Sequence, residues 1–290
     1  MNPNVQSFLH ADTNTLSYVI YDRDGGAAAI IDPVLEYDAA TARTSTRSAD
    51  SIMEFIKEHA LTVQWILETH AHADHLTAAH YLRDLTGAKV AIGQGITSVQ
   101  ERFGKLFHLE PEFVPDGNQF DHLFADGETF QIGELSGYVI GTPGHTDDSL
   151  TYVIGDAAFV GDTVFSPSSG TARADFPGGD ASKLYQSIHK LFDLPAETRL
   201  YHCHDYPPAG QELQISSSIE EQRQHNIHVG HETTEQDFVA MRTARDQALA
   251  APRYILPSLQ VNIRAGELPP EDSNGIRYLR LPLNAIGTAK

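Results

Sequence analysis

The sequence predicts a mixed α/β protein, on three observations. Short β-prone runs separated by tight turns fill its first half, and one-sided apolar spacings of helical period fill the second. The histidines and aspartates best suited to bind a metal fall where a predicted strand ends or the chain turns sharply. A rigid sheet holds residues at such places still.

Taken in order, Leu16–Tyr21 and Ala27–Ile31 are β-prone runs around Asp22-Arg23-Asp24-Gly25-Gly26, a hairpin signal. Ser48 is placed to cap a helix with Ile52, Phe55 and Ile56 on one face. Val63–Leu67 is apolar and bounded by polar residues, hence a buried strand. If that strand continues through Thr69, His70 and His72 point to the same face, with Asp74 and His75 at the turn into a helix over Leu76–Leu85. Thr129–Ile140 alternates in part and leads into a turn at Pro143-Gly144. Leu150–Ile154 and Ala157–Val160 flank Gly155-Asp156, a two-residue hairpin that leaves Asp162 just past a strand. Asp180 caps a helix carrying Leu184, Ile188, Leu191 and Phe192 and ending near Pro195. Glu220–His225 and Thr234–Leu249 read as further helices, the second with Phe238 and Met241 inward. The tail from Pro252 to Lys290 is Pro-rich, but Tyr254-Ile255-Leu256 and Tyr278–Leu281 are expected to pack on the body. With no repeat or long linker, the expectation is one domain over 1–290, more helical from about 207 to 290.

Composition narrows the partners. At 290 residues and 41% hydrophobic the chain can bury a large core, and it has no apolar run of about 18 residues to cross a membrane. Met1–Val5 is neither basic nor apolar, so no secretory signal is expected. A lone cysteine, Cys203, fits a reducing compartment, and the cytoplasm is the expected location. A formal charge of −19 argues against nucleic acid, and an anionic substrate would need locally concentrated positive charge. A homo-oligomer stays open.

The densest chemistry lies in Thr69-His70-Ala71-His72-Ala73-Asp74-His75, three imidazoles and a carboxylate in seven residues. So tight a set of N and O ligands is seldom a mere polar loop. H-x-H-x-D-H resembles the metallo-β-lactamase superfamily, and three more motifs follow in that family's order. Gly141-Thr142-Pro143-Gly144-His145-Thr146 is similar to its T-P-G-H-T turn, Gly161-Asp162 to its G-D step, and His204-Asp205-Tyr206 to the H-D-Y of the glyoxalase-II branch. The resemblance implies a four-layer αββα sandwich.

It also implies ligands. His70, His145 and Asp162 form a two-histidine, one-carboxylate triad with open positions, suited to one Fe(II) and O₂. The same residues serve equally in a binuclear zinc site. There His70, His72 and His145 hold one metal, Asp74, His75 and His204 the second, and Asp162 bridges. His204 is either a ligand or an outer group. Asp32 either accepts a hydrogen bond from the metal loop or only ends a strand. His225, His228 and His231 read as surface histidines, and Cys203 as a buried, inert thiol.

Within the family, Gly170-Thr171-Ala172-Arg173-Ala174-Asp175-Phe176 resembles the G-x-G-R-T-D-F segment of persulfide dioxygenases, with Ala172 and Ala174 replacing Gly and Thr. Phe165–Ser169 also lies in a stretch longer than in the mitochondrial-type enzymes. What this resemblance implies is oxidation of glutathione persulfide by O₂ to sulfite and glutathione. Arg173 suits a glutathione carboxylate unless it pairs with Asp175, and Tyr206 and Arg264 are further candidates for that cradle. The competing expectations are a zinc hydrolase of a glutathione thioester or lactone, or a non-enzymatic metal module.

Overall fold

The computed structural model describes residues 1–286 except 208, 209, 211 and 231. Strands β1 (Asn4–His10), β2 (Thr15–Tyr21) and β3 (Ala27–Ile31) run antiparallel, the last two joined by the expected hairpin. A small ladder of β4 (Val34–Asp38) and β5 (Arg43–Ser45) follows, then α1 (Arg47–Glu58) and β6 (Thr62–Leu67). β7 (Leu76–Thr77), α2 (Ala79–Thr86), β8 (Lys89–Gly93), α3 (Ile96–Phe107) and β9 (His122–Phe124) complete the first half. β10 (Thr129–Ile132), β11 (Leu135–Gly141), β12 (Leu150–Ile154) and β13 (Ala157–Phe159) form a meander, from which α4 (Ala181–Phe192) crosses to the parallel strand β14 (Arg199–Tyr201). β15 (Ser216–Ser218), α5 (Ile219–His225), α6 (Glu235–Asp246) and α7 (Ile255–Asn262) end the regular structure.

Two six-stranded sheets result, in the orders β1-β2-β3-β6-β8-β9 and β10-β11-β12-β13-β14-β15. Strand alternation sorts side chains into layers. Leu16, Tyr18, Ile20, Ala29 and Ile31 meet Phe130, Val139, Tyr152 and Phe159 between the sheets. Val19, Ala28, Ile30, Ile66 and Val90 face the other way, onto Ile52, Ile56, Leu82, Phe103 and Leu259 of α1, α2, α3 and α7. Val153, Ala158 and Leu200 meet Leu184, Ile188, Ile219 and Phe238 of α4, α5 and α6. The layering is helix, sheet, sheet, helix, as the resemblance implied. Among the described residues no helix is long and apolar enough to cross a membrane.

Local expectations change in four places. Ser48 lies inside α1 and caps nothing; its hydroxyl donates to Glu36 Oε1 at 2.7 Å, and Thr46 precedes the helix without a side-chain cap. The helix expected from Leu76 begins at Ala79, because Leu76 and Thr77 pair with Leu35 and Val34 of β4. Thr129–Ile140 is broken into two strands at Gly133, whose φ of 55° suits a residue without Cβ. In the tail, Tyr254 and Ile255 are buried and Leu279 packs on the first core, but Tyr278 and Leu281 are exposed. Asp180 caps α4 as expected, accepting from Lys183 N at 3.0 Å.

Candidate metal centre

The four motif segments converge at one rim of the sandwich, past the ends of β6, β13 and β14 and in the β11–β12 loop. Strand β6 stops at Leu67, two residues before Thr69. Asp32 takes over from it. Its backbone is left-handed, with a φ of 48°, a conformation Asp tolerates better than most residues. Its carboxylate accepts Thr69 N at 2.7 Å and Thr69 Oγ1 at 2.8 Å. Ala71 N donates to Asp148 Oδ2 at 2.8 Å. From α7, Asn262 Nδ2 donates to the carbonyls of His72 and His75, each at 2.8 Å, and its Oδ1 accepts Thr77 N at 2.8 Å. The loop's backbone polar groups are thus met by side chains rather than by a ladder. His70 and His72 accordingly do not share a strand face; their rings lie side by side, centroids 4.1 Å apart.

His70, His145 and Asp162 each bring a ligand atom within 4.8 Å of the others. His145 Nδ1 donates to the Arg173 carbonyl at 2.7 Å, which leaves its Nε2 a lone pair, 3.5 Å from Asp162 Oδ2. Burial, helped by neighbouring His72 and His145, pushes His70 well below the usual imidazole range and keeps it neutral. A second group adjoins the first. Asp74 Oδ2 lies 3.1 Å from His75 Nδ1 and 3.4 Å from His204 Nε2, while His204 Nε2 is 3.4 Å from Asp162 Oδ1. Asp162 therefore turns one oxygen to each group. Burial opposes charge on His204, but Asp162, Cys203 and Asp74 together raise it well above the usual range. Its Nδ1 donates to Asn14 O at 2.9 Å. Cys203 is buried, and burial pushes its thiol up, as an inert cysteine requires.

His72 faces elsewhere with one nitrogen. Its Nε2 lies 3.0 Å from Asp32 Oδ1 and 3.5 Å from Glu68 Oε2, an ion pair inside the protein, and its Nδ1 has no hydrogen-bond partner among the described residues. His70 Nε2, His75 Nε2 and Asp162 Oδ1 are likewise buried without a hydrogen bond among the described residues. Leaving so many buried N and O atoms unmet is costly, and a divalent cation would satisfy them.

A cavity of about 600 Å³ opens onto this centre, lined by Asp74, His145, Asp162, His204 and Tyr206. Arg173 is in its wall, but its fork closes on Asp175 at 2.6 and 2.8 Å and its Nη1 donates to Ala250 O at 2.7 Å. The alternative considered from sequence, a pair with Asp175, is what forms. Arg264 leaves the site altogether: it is buried, 2.7 Å from Glu110, with its guanidinium over Phe113. His225 is exposed as expected and His231 lies outside the described residues, but His228 is buried in the cavity wall and accepts Thr171 N at 3.0 Å. Sequence spacing missed Arg245 and Arg253 as well, two exposed cavity arginines not ion-paired among the described residues. No motif marks these positions, or Asn262 and Asp148, because folding alone brings them here.

His202, beside the centre, is buried, and burial pushes its imidazole down to about 4. The folded protein therefore resists protonating it. Its stability is whole above the free-imidazole value of 6.5 and falls as pH drops toward 4. A loss on the order of 3 kcal/mol is expected across that window. Denaturant melts of wild type and His202→Gln at pH 7, 5.5 and 4 check it; an unchanged pH slope in the variant removes His202 as the cause.

With the geometry in place, similarity to known proteins assigns the family. A model of the metallo-beta-lactamase superfamily matches residues 11–204. The chain belongs to the metallo-β-lactamase superfamily. Within that superfamily, a Burkholderia pseudomallei (strain 1710b) protein named probable metallo-hydrolase is 50% identical over 292 residues, covering 97% of this chain and 99% of its own. The mitochondrial persulfide dioxygenase ETHE1 of Bos taurus is 32% identical over 260 residues, 88% of this chain and 86% of its own. The crystal structure of ETHE1 from Myxococcus xanthus superposes with a TM-score of 0.71 at 30% identity, covering 91% of this chain and 100% of that one.

Proposed function

We propose that this metallo-β-lactamase-fold enzyme is a persulfide dioxygenase, in which O₂ oxidises glutathione persulfide to sulfite and glutathione at one Fe(II) that His70, His145 and Asp162 would hold. The observation that carries the reading is the compact triad, two imidazoles and one carboxylate within 4.8 Å, of which His145 and Asp162 line a cavity of about 600 Å³. Likeness to two proteins named ETHE1 supports it. The reaction balances as persulfide plus O₂ plus water giving glutathione, sulfite and protons. Iron, when bound, would supply a shared site and the unpaired electrons that ease the spin mismatch between O₂ and a spin-paired persulfide, while the electrons that reduce O₂ come from the persulfide's outer sulfur.

The chain's own residues do the rest. The Arg173 carbonyl fixes His145 with its lone pair inward, and burial keeps His70 neutral. Arg245 and Arg253 supply the positive charge that a protein of net charge −19 must concentrate to hold the carboxylates of glutathione. Tyr206 and Arg173 also line this cavity. The Arg245→Ala/Arg253→Ala double variant is expected to raise the apparent KM for glutathione persulfide about tenfold or more and leave iron content alone, from charge-assisted bonds worth about 1.5–3 kcal/mol for the exposed pair together after solvent screening. An unchanged KM removes both from the substrate site.

The test of the activity is direct. Protein purified anaerobically is expected to hold about one iron per chain, to consume O₂ with glutathione and elemental sulfur, and to release sulfite. Full turnover in protein loaded only with zinc would sink this assignment. A second reading, a binuclear zinc hydrolase of a glutathione thioester or lactone, draws on Asp162 offering one oxygen to each ligand group and on the relative named metallo-hydrolase. Two zincs per chain with rapid thioester cleavage would favour it.

A further inference from the structure

We infer that the helical C-terminal part sets the metal-binding orientation of His145, through a clamp that Arg242 and Asp246 close on the backbone of residues 170–174. This rests on His145 being a metal ligand. Arg242 and Asp246 stand one turn apart on α6, both about 3% exposed, with Arg242 Nη2 2.6 Å and Nε 2.8 Å from Asp246 Oδ1. Burying two charges costs more than their attraction alone returns unless their remaining polar atoms are also used. They are used on one segment. Asp246 Oδ2 accepts Ala174 N at 2.9 Å, and Arg242 Nη1 donates to Thr171 O at 3.2 Å.

The neighbouring loop holds the same segment from another side. His228 Nδ1 accepts Thr171 N at 3.0 Å, and Asn226 Nδ2 donates to Gly170 O at 3.0 Å. Gly170 has a φ of +86°, and a Cβ there would come within 2.2 Å of the His228 ring, so the segment has no slack. Backbone groups on both sides of Arg173 are therefore pinned, and between them its carbonyl accepts His145 Nδ1–H at 2.7 Å. A partner that orients a ligating imidazole in this way is typically worth about 10–100-fold in metal affinity. Arg242 and Asp246 are positioning residues that act on the metal through Arg173 O and His145.

The test uses Zn(II) as a redox-inert probe, competed against a chromophoric chelator, with thermal melting of the metal-free protein alongside. Asp246→Asn is expected to weaken zinc binding about 10–100-fold. Should that variant fail to fold, the uncharged pair Arg242→Met/Asp246→Leu, which strands no buried charge but removes both ties, is measured in its place with the same expectation. A lowered melting temperature with zinc affinity within about threefold of wild type would overturn the clamp, since a purely structural ion pair predicts that pattern. His145→Ala separates the two levels. If it loses zinc while the clamp variants keep it, only the clamp fails; if it keeps zinc at wild-type affinity, the metal reading fails with it.

Discussion

Asp162→Ala is expected to lose metal and activity together, with turnover down about a thousandfold or more, roughly 4 kcal/mol of barrier. Its carboxylate is the one anionic group in the set with His70 and His145, and its second oxygen reaches His204 at 3.4 Å. Without it, two imidazoles remain to hold a dication against water, and the charge balance of the centre is gone. His70→Ala is expected to behave alike, since its Nε2 is already buried and without a hydrogen bond among the described residues. His204→Ala discriminates between the metal readings: it removes a ligand from a binuclear zinc centre but spares an iron on His70, His145 and Asp162. Metal analysis and oxygen-electrode rates on the three variants check this. Stoichiometric metal and turnover in Asp162→Ala would place the centre elsewhere.

Asp32→Ala is expected to cost about 3–5 kcal/mol of folding stability, the range for stranding one partner of a buried ion pair. The carboxylate serves three groups at once: Thr69 N, Thr69 Oγ1 and His72 Nε2. Burial opposes charge on His72, but Asp32 and Glu68 hold its imidazole well above the usual range, so its charge is left largely unmatched when Asp32 goes. Asp32→Asn keeps an acceptor for Thr69 N and is expected to cost less. His72→Ala breaks the same pair from the other side and leaves Asp32 and Glu68 as buried carboxylates without their shared partner. Urea melts of the metal-free proteins measure all three, and a cost below about 1 kcal/mol for Asp32→Ala would show that the pair is not the anchor of the loop.

Much of this was legible in one dimension. The runs 16–21, 27–31, 63–67 and 150–154 carry their strand signal locally, through β-prone side chains bounded by turns, and each is a strand. The cap at Asp180 and the face of α4 are local too. H-x-H-x-D-H and the three later motifs place the metal-competent groups because a metal needs several N and O ligands at short range, and few other functions demand that density. Ser48 and Leu76 went astray for the same physical reason: a distant strand, β4, competes for each, through Glu36 in one case and ladder pairing in the other.

By itself, then, the sequence determined a mixed α/β class, through alternation and helical period, and the identities of the metal-competent residues; the αββα sandwich followed from the family resemblance that the motif order carries. Only the tertiary structure decided what each of those residues faces. Asp32, Asp148 and Asn262 come from three remote segments to hold one histidine loop, and a spacing rule has no access to partners 37, 77 and 190 residues away. Arg173 shows the difference most sharply. Its side chain, the part a motif advertises, is spent on Asp175, whereas its carbonyl, which every residue possesses and no motif can mark, orients His145. Backbone groups and long-range partners carry no signature in residue type; their roles exist only once the chain has closed on itself.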